Sequence, residues 1–547
     1  MNPLLKLHTY FACLLVPVIS HAAGVEVAIK LISPDALDVS YTLPENCPQL
    51  PFVQNGEGWG KIRGAWQIRE DCGSADGSVL LRGKRACPVM HFKVPATVDK
   101  APQSYPGAFP MGGGIYVHTT AYAVTEACGK VSYRFAAPGS IAMSGRLYTG
   151  AAQADEKSGP DMSVLLLQEP LPTPEGGIAY FNPALPPATV AQIREVADGT
   201  VSYLRAALPD VKFKPPILAA TVATEPGGPN VGGDAGDVLR LSFYNWPQTP
   251  SPEVQRKATL LVSHEFSHRF QLRDEVDVYP DARLIHEGGA EFLRWYASLQ
   301  KGWLTRQQVA DELDDALGDC LLAVDGQNWR ALAPDFVASR RLEYRCGLAV
   351  YAYALAARQG GGNALSRINN FYVNLARGNA LDFGQAMECG NDKNCQAHWL
   401  PQLLGNAGPM REQWNKFFKE TGLATVRDPS QSQIDAMMNN AVAKLMRDDC
   451  EHHLSMTPTA GSILLEGLRV CKTLRSDIEV TQIEGHAIFG NSLALPAMIA
   501  ACNERHALNL GGKNGEALTV PCPNAYQASK NFYAANIGLV LEKLMHE

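Results

Sequence analysis

The pattern of hydrophobic and polar positions changes character along this chain of 547 residues. From residue 24 to about residue 170, short segments such as 25–29 and 163–167 suit strands and are separated by turns rich in Gly, Pro and Asp. This pattern is typical of strands that bury one face, and it predicts a β-sandwich-like N-terminal domain over residues 24–170. The proline-rich segment 170–174 predicts a stiff linker after it.

The pattern becomes mixed and then helical between residues 175 and 440. Strand-like segments at 178–181 and 216–222 flank a helical pattern near 188–206, and longer helical patterns follow. After about residue 450 the chain returns to mixed structure, with strand-like segments at 477–485, 507–510 and 517–520 and a helical one near 493–502. We therefore predict a multidomain α+β protein, with a middle domain over 175–440 that includes a helical lobe and a small α/β domain over 450–547.

The first 23 residues have the pattern of a secretory signal peptide. Lys6 precedes an apolar segment at 11–19, and small residues at 20–22 suit cleavage. Cys13 suggests a lipoprotein as an alternative, but Lys6 and His8 interrupt the apolar stretch before it. We expect a periplasmic or secreted protein without stable membrane insertion, because no later segment reaches the length of a membrane helix.

Cysteine usage indicates the same compartment. Setting Cys13 aside leaves twelve of the thirteen cysteines, an even number that suits disulfide formation in an oxidising environment. We predict pairing between near neighbours within each cluster, although spacing alone does not establish the connectivity. The clusters are Cys47, Cys72, Cys87 and Cys128; Cys320 and Cys346; Cys389 and Cys395; Cys450 and Cys471; and Cys502 and Cys522.

Charge and length narrow the class of partner. The formal net charge of −7 gives no basic footprint, so nucleic acid is not an expected partner. The chain is long enough for several domains and a large buried core. Neither property predicts the number of subunits.

The segment 262–268 carries the chemistry that the sequence predicts most clearly. His264 and His268 are four residues apart, so a helix projects both imidazoles from one face, about 6 Å apart along its axis. One tetrahedral zinc ion takes both, and Glu265 beside them suits proton transfer from water. The alternative is an ordinary amphipathic helix with solvated histidines. The helix start at Ser251-Pro252-Glu253 and the apolar run 259–262 favour a helix buried beneath a cleft.

A third metal ligand is predicted at Glu287, which follows His268 after eighteen intervening residues. The spacing, together with the Glu-Gly-x-Ala setting of Glu287, resembles the aminopeptidase N family of gluzincin metallopeptidases. The resemblance covers roughly residues 230–355 and implies a thermolysin-like catalytic domain with His264, His268 and Glu287 as zinc ligands and Glu265 as general base.

The same resemblance implies a tyrosine that stabilises the tetrahedral intermediate. The family places it in a Tyr-x-x-Gly setting, which Tyr344 and Gly347 match, and Tyr351 and Tyr353 are the alternatives. Glu291 lies one helical turn after Glu287 and is interpreted either as a carboxylate that orients a ligand histidine or as a surface acid at a helix start. His286 is not expected to be a ligand.

The chain departs from the family at the strand that grips the substrate's free amine. Family members have Gly-x-Met-Glu-Asn there, whereas residues 232–241 contain three glycines but neither the methionine nor the glutamate. Asp234 or Asp237 would be a shorter replacement; the alternative is a glycine-rich turn that leads into an edge strand. Such a strand would still pair with an extended peptide through its backbone.

These features predict a zinc metallopeptidase that acts on peptide or protein substrates, as an aminopeptidase or an endopeptidase. Two alternatives stay open: a non-catalytic peptide-binding or scaffold protein with a relict zinc site, and a zinc hydrolase of a non-peptide substrate. The C-terminal domain faintly resembles half of a PDZ domain, as in the glycyl aminopeptidase family, with residues 465–468 nearest to its carboxylate-binding loop. The alternative is a generic α/β appendage.

Overall fold

The computed structural model describes residues 24–545 except for residues 56, 69–70, 84, 86, 102–103, 156–159, 173–176, 226, 325, 335, 338–340, 361, 380, 393, 406–407, 460 and 530–531. The predicted signal peptide, including Cys13, lies outside the described residues. Among the described residues, no helix is both long and apolar enough to span a membrane.

The chain forms two compact units. The first comprises residues up to Asn182 together with Gly236–Val238. The described part of this unit is rich in strands, as predicted, and its one α-helix is α1 (Glu57–Gly64). The strands are β1 (Val25–Ser33), β2 (Ala36–Thr42), β3 (Gln49–Pro51), β4 (Gln67–Ile68), β5 (Gly73–Ala75), β6 (Val79–Arg82), β7 (Val89–Pro95), β8 (Ala108–Pro110), β9 (Gly114–His118), β10 (Val131–Met143), β11 (Arg146–Gln153), β12 (Ser163–Leu167) and β13 (Ala179–Phe181).

A nine-stranded sheet dominates the first unit, in the order β4-β7-β2-β1-β10-β12-β9-β8, with β11 also paired to β10. Only β1 and β10 pair in parallel within it. In β1 every second side chain is buried, because successive residues of a strand point to opposite faces. A three-stranded sheet, β3-β6-β5, contributes to the same hydrophobic core.

The second unit comprises Pro183–Ala235 and the chain from Leu239 onwards. Its first strands are β14 (Ile217–Ala223), β15 (Asn230–Ala235) and β16 (Val238–Tyr244), which lie in the order β14-β16-β15 with β15 at the edge. The helices of this part of the chain are α2 (Pro187–Ala207), α3 (Pro252–Ser267), α4 (Arg273–Val276), α5 (Gly289–Gln300), α6 (Arg306–Val324), α7 (Leu342–Ala356), α8 (Ala364–Ala376), α9 (Trp399–Leu404), α10 (Met410–Thr421) and α11 (Gln431–Asp449).

The C-terminal part of the second unit forms an antiparallel sheet and two helices. Its strands are β17 (Ala424–Arg427), β18 (Met456–Pro458), β19 (Ile463–Leu465), β20 (Ile478–Ile483), β21 (His486–Ala487), β22 (Ala507–Gly512), β23 (Ala517–Pro521) and β24 (Phe532–Ala535), and its helices are α12 (Ala494–Arg505) and α13 (Ile537–Met545). The sheet order is β18-β19-β20-β22-β23, with β21 beside β20. The resemblance to a PDZ domain stays a prediction.

Three elements tie this C-terminal part to the helical lobe. Helix α11 packs its apolar face into the core beneath the C-terminal sheet. Strand β24 pairs with β17, and apolar residues of α13 enter the core of the helical lobe. Residues of β24 and α13 therefore stabilise the same core that supports helices α5 to α7.

All twelve cysteines that the sequence assigns to disulfides are paired. The four two-membered clusters pair internally, as predicted. In the cluster of four, Cys72 bonds its near neighbour Cys87, whereas Cys47 bonds Cys128, 81 residues along the chain. Near-neighbour pairing is therefore wrong for Cys47 and Cys128, because the fold brings distant segments together around the inner disulfide.

Candidate metal centre

Helix α3 presents the two histidines as the sequence predicts. It begins at Pro252, and the N-cap residue Ser251 accepts a hydrogen bond from the backbone N–H of Val254. The helix continues as a 3₁₀ turn from His268. Both imidazoles are buried, and their Nε2 atoms lie 3.0 Å apart.

Glu287 joins them from a separate helical segment. It lies on a π-helical turn, Leu284–Gly288, immediately before α5. Its Oε2 atom is 3.5 Å from Nε2 of His264 and 3.2 Å from Nε2 of His268. This oxygen is buried without a hydrogen-bond partner among the described residues. Burial alone would raise the pKa of the Glu287 carboxyl, but the neighbouring imidazoles hold that pKa well below its usual value.

The three donor atoms fit a zinc ion. Two ligand atoms that are each about 2.0–2.1 Å from a tetrahedral zinc lie about 3.3–3.4 Å apart. The observed separations of 3.0, 3.2 and 3.5 Å bracket that value. A second group of potential ligands, Cys450 and Cys471 with Asp449, cannot supply thiolates because its cysteines form a disulfide.

Glu265 lies on the same helix with its carboxylate against the edge strand β15. A Cβ atom on Gly233 would lie 2.0 Å from Oε1 of Glu265, so only glycine leaves room for this carboxylate. Burial raises the pKa of Glu265, against the lowering influence of His264 and His268. A carboxyl group whose pKa is shifted toward neutrality can both accept and return a proton.

Polar side chains lie against the outer nitrogen of each imidazole. Nδ1 of His268 lies 2.7 Å from Oε1 of Gln271, whose Nε2 donates to the backbone oxygen of His286. This bond assigns the Nδ1 proton of His268 and leaves its Nε2 lone pair toward the centre. Oε1 of Glu291 lies 3.0 Å from Nδ1 of His264, and its other oxygen is paired with Arg294.

Of the three candidate tyrosines, only Tyr344 adjoins the candidate ligands. Its ring stacks on His264 with 5.5 Å between ring centroids. The Tyr351 hydroxyl instead donates to the backbone oxygen of Ile285. Tyr353 is fully buried and packs against aromatic rings of the helical lobe.

A close contact between two glycines explains the position of Tyr344. The ideal Cβ position of Gly347 lies 2.3 Å from Cα of Gly288, and that of Gly288 lies 2.5 Å from Cα of Gly347. Helix α7 can therefore approach the turn that carries Glu287 only because both residues lack a side chain. This contact places Tyr344, one turn before Gly347, beside the ligand set.

The fold places the three remaining candidate site residues, Asp234, Asp237 and His286, in different surroundings. Asp234 is buried on β15, and its charge contributes to the raised pKa of Glu265. Asp237 accepts a hydrogen bond from the backbone N–H of Gly145, within the first unit. The ring of His286 stacks on His268, 4.3 Å between centroids, outside the group of potential ligands.

Sequence reasoning missed Gln271, Arg294 and Arg341. Gln271 lies three residues after His268, at the end of the helix. This spacing alone could have indicated a contact between the two side chains. Arg294 lies three residues after Glu291, a spacing at which helical side chains meet. Arg341 carried no signal, because its position depends on the approach of α7.

Comparison with solved structures identifies proteins with a similar fold. The chain has the fold of an aminopeptidase N family protein from Idiomarina loihiensis, with a TM-score of 0.57 and 12% identity over 95% of this chain and 100% of that one. The predicted resemblance to the aminopeptidase N family is thus confirmed at the level of the fold. No protein-family model matches the chain, and no curated protein matches it by sequence.

Two further structures are similar at lower TM-scores. An M1 zinc metallopeptidase from Deinococcus radiodurans has a TM-score of 0.34 and 13% identity, over 70% of this chain and 94% of that one. Leukotriene A4 hydrolase from Saccharomyces cerevisiae has a TM-score of 0.35 and 11% identity, over 79% of this chain and 72% of that one. Their likeness is too low to add to the conclusion about the fold.

Proposed function

We propose that this protein is a zinc-dependent metallopeptidase of the periplasm or the extracellular space. The observation that carries the proposal is the convergence of His264, His268 and Glu287, with mutual donor distances of 3.0–3.5 Å, beside the buried carboxylate of Glu265. A relict site has no chemical need for Glu265, so its presence favours an enzyme over a scaffold.

The residues divide the chemistry among them. Bound zinc would polarise the scissile carbonyl and lower the pKa of water toward about 7. The Glu265 carboxylate accepts a proton from the attacking water and returns it to the leaving amine. Gln271 and Glu291 hold the imidazoles of His268 and His264 in the orientation that ligation needs.

Tyr344 is proposed to donate its hydroxyl proton to the developing oxyanion in a hydrogen bond. Burial raises the pKa of Tyr344 above its usual value, with the Glu287 charge as the next cause, so the hydroxyl keeps its proton. We expect Tyr344→Phe to lower kcat by about 10- to 1,000-fold with little change in KM, because the bond forms chiefly in the transition state. Steady-state kinetics on one peptide test this, and an unchanged kcat would exclude the role.

Strand β15 is proposed to align the substrate. It is the edge strand beside Glu265, and β16 pairs with one of its sides. An extended peptide can add to the open side through backbone hydrogen bonds. Gly233 leaves room beside the strand for the Glu265 carboxylate. Residues 232–241 lack the glutamate that family aminopeptidases carry at the corresponding stretch. This difference leaves open whether the enzyme trims N-termini or cleaves internally.

The proposed location depends on the disulfides. Six disulfides in the described chain suit an oxidising compartment. Cytosolic proteins rarely keep such bonds. Fractionation of cells that express the full chain, with the N-terminus of the product determined, tests both the location and cleavage near residue 23.

A mixed peptide library with free and blocked N-termini tests the proposed activity. We expect cleavage by the zinc-loaded protein, loss on removal of zinc by a chelator, and recovery on adding zinc. Cleavage of free-amine peptides alone would identify an aminopeptidase, whereas equal cleavage of blocked peptides would identify an endopeptidase. Absence of cleavage throughout the library by protein with one zinc per chain would exclude the proposed function.

A further inference from the structure

Among the residues that the structure describes, three arginines lie near the start of the helix that carries Tyr344, and two of them have carboxylate partners. Arg283 pairs with the buried Glu343, with 2.5 Å between the nitrogen and the oxygen. Arg345 lies 3.6 Å from Asp319. Arg341 differs, since no carboxylate oxygen in the described part of the chain forms an ion pair with its guanidinium. The charge of Arg341 is thus available to a ligand.

Arg341 is held at the metal centre by the ring of Tyr344. Its Cζ atom lies 4.5 Å from the ring centroid of Tyr344, within the range of a cation–π contact. The other neighbour of that ring is His264, at 5.5 Å. Arg341 also shares a side-chain hydrogen bond with Tyr344. Because Arg341 is exposed, a group that binds its remaining N–H donors lies one ring away from the candidate ligands.

The backbone of Arg341 supports a fixed position. Arg341 immediately precedes α7 with φ 52° and ψ 39°, a left-handed conformation that is unfavourable for a residue with a Cβ atom. Surrounding structure must impose such a conformation, and it occurs often at ligand sites. The backbone is fixed in this way, and the contact with the Tyr344 ring restricts the guanidinium, which therefore loses less freedom when it binds a ligand.

The nearby acids are already engaged. Glu287 and Glu343 lie close enough to influence the pKa of Arg341, but Glu287 faces the two imidazoles and Glu343 pairs with Arg283. On strand β15, residues 232–241 lack the glutamate of the family that the sequence resembles, and Asp234 is buried. The centre therefore offers an exposed cation to a substrate.

We propose that Arg341 binds a carboxylate of the peptide substrate, and that this contact determines specificity. The carboxylate belongs either to a free C-terminus or to an Asp or Glu side chain near the cleaved bond. A planar guanidinium suits this partner because it can donate two parallel N–H bonds to one carboxylate. The inference rests on the proposed function and names the substrate class for that site.

Paired peptides and three variants test the proposal. One pair differs in a C-terminal acid or amide, and the other in an internal Glu or Gln, so the two sources of the carboxylate are distinguished. We expect wild-type kcat/KM to favour the acid of at least one pair by about 10- to 100-fold. Arg341→Met should bring that ratio close to one, mainly through KM, and Arg341→Lys should restore part of it. Arg345→Met is the matched control and should keep the ratio.

Two kinetic results would overturn the inference. One is equal cleavage of both members of each pair by the wild-type enzyme. The other is an equal fall in kcat for all peptides in Arg341→Met, which would mean that Arg341 only positions Tyr344.

A binding measurement separates this inference from the proposed function. Calorimetry on zinc-loaded Glu265→Gln protein should show tighter binding of the acid than of the amide or Gln counterpart, and Arg341→Met in that background should abolish the difference. Preferential binding without cleavage by the active protein would refute the peptidase and keep the role of Arg341. Cleavage without any preference in binding or rate would keep the peptidase function and refute the role of Arg341.

Discussion

Replacement of Glu265 by glutamine is expected to lower kcat for peptide cleavage by about 100- to 10,000-fold. Glutamine keeps the size of the side chain beside Gly233 but cannot accept the proton of the attacking water. Since Glu265 is not one of the three candidate ligand residues, the variant should keep one zinc per chain. The measurements are steady-state kinetics, metal analysis and far-UV circular dichroism on the same preparations.

Glu253→Gln is the matched control for this change. Glu253 lies in the first turn of the same helix and is exposed, so its neutralisation should leave kcat within about threefold, in line with small effects of surface substitutions. Wild-type turnover by folded, zinc-loaded Glu265→Gln protein would remove Glu265 from the mechanism. Wild-type zinc content together with lost turnover is the result that assigns it the role of a proton carrier.

Replacement of His268 by alanine is expected to remove both zinc and activity. The change deletes one of three donor atoms and also leaves Oε1 of Gln271 without its imidazole partner. We expect metal content after dialysis to fall from about one zinc per chain to near zero, and activity to fall with it. Because a ligand that binds only the folded state stabilises it, added zinc should raise the Tm of the wild-type protein and not that of the variant.

His286→Asn provides the comparison for the zinc experiment. His286 lies next to Glu287 in sequence and stacks on His268, yet the structure places it outside the group of potential ligands. This variant should therefore keep about one zinc per chain. Loss of zinc from His286→Asn, with retention by His268→Ala, would mean that a different set of side chains binds the metal.

The sequence predicted much of the local structure, because local structure follows from periodicity and from capping residues. The start of α3 at Pro252 with its Ser251 cap, the long helix α2 and the strands around residues 163–167 and 217–223 lie where the pattern places them. The spacing of the two histidines needs only helical geometry, so their common face was predictable as well.

Features that depend on contacts between distant segments of the chain were harder to predict from the sequence. The Cys47–Cys128 disulfide joins residues whose separation along the chain gives no hint of their proximity. The π-helical turn that carries Glu287 was not expected, although such turns occur often at functional sites. The choice among Tyr344, Tyr351 and Tyr353 also stayed open, since all three lie on one helix and only packing decides which of them faces His264.

The sequence alone therefore predicted the type of chemistry: two histidines one turn apart, a glutamate between them, and a second glutamate, the third ligand, at the spacing of the family that the sequence resembles. Only the tertiary structure decided which other groups surround them. The contact of Gly288 with Gly347 brings Tyr344 and Arg341 to the centre, and the end of the helix returns Gln271 to His268. The physical reason is that periodicity describes a segment in isolation, whereas the approach of two helices depends on the space that every side chain between them leaves free.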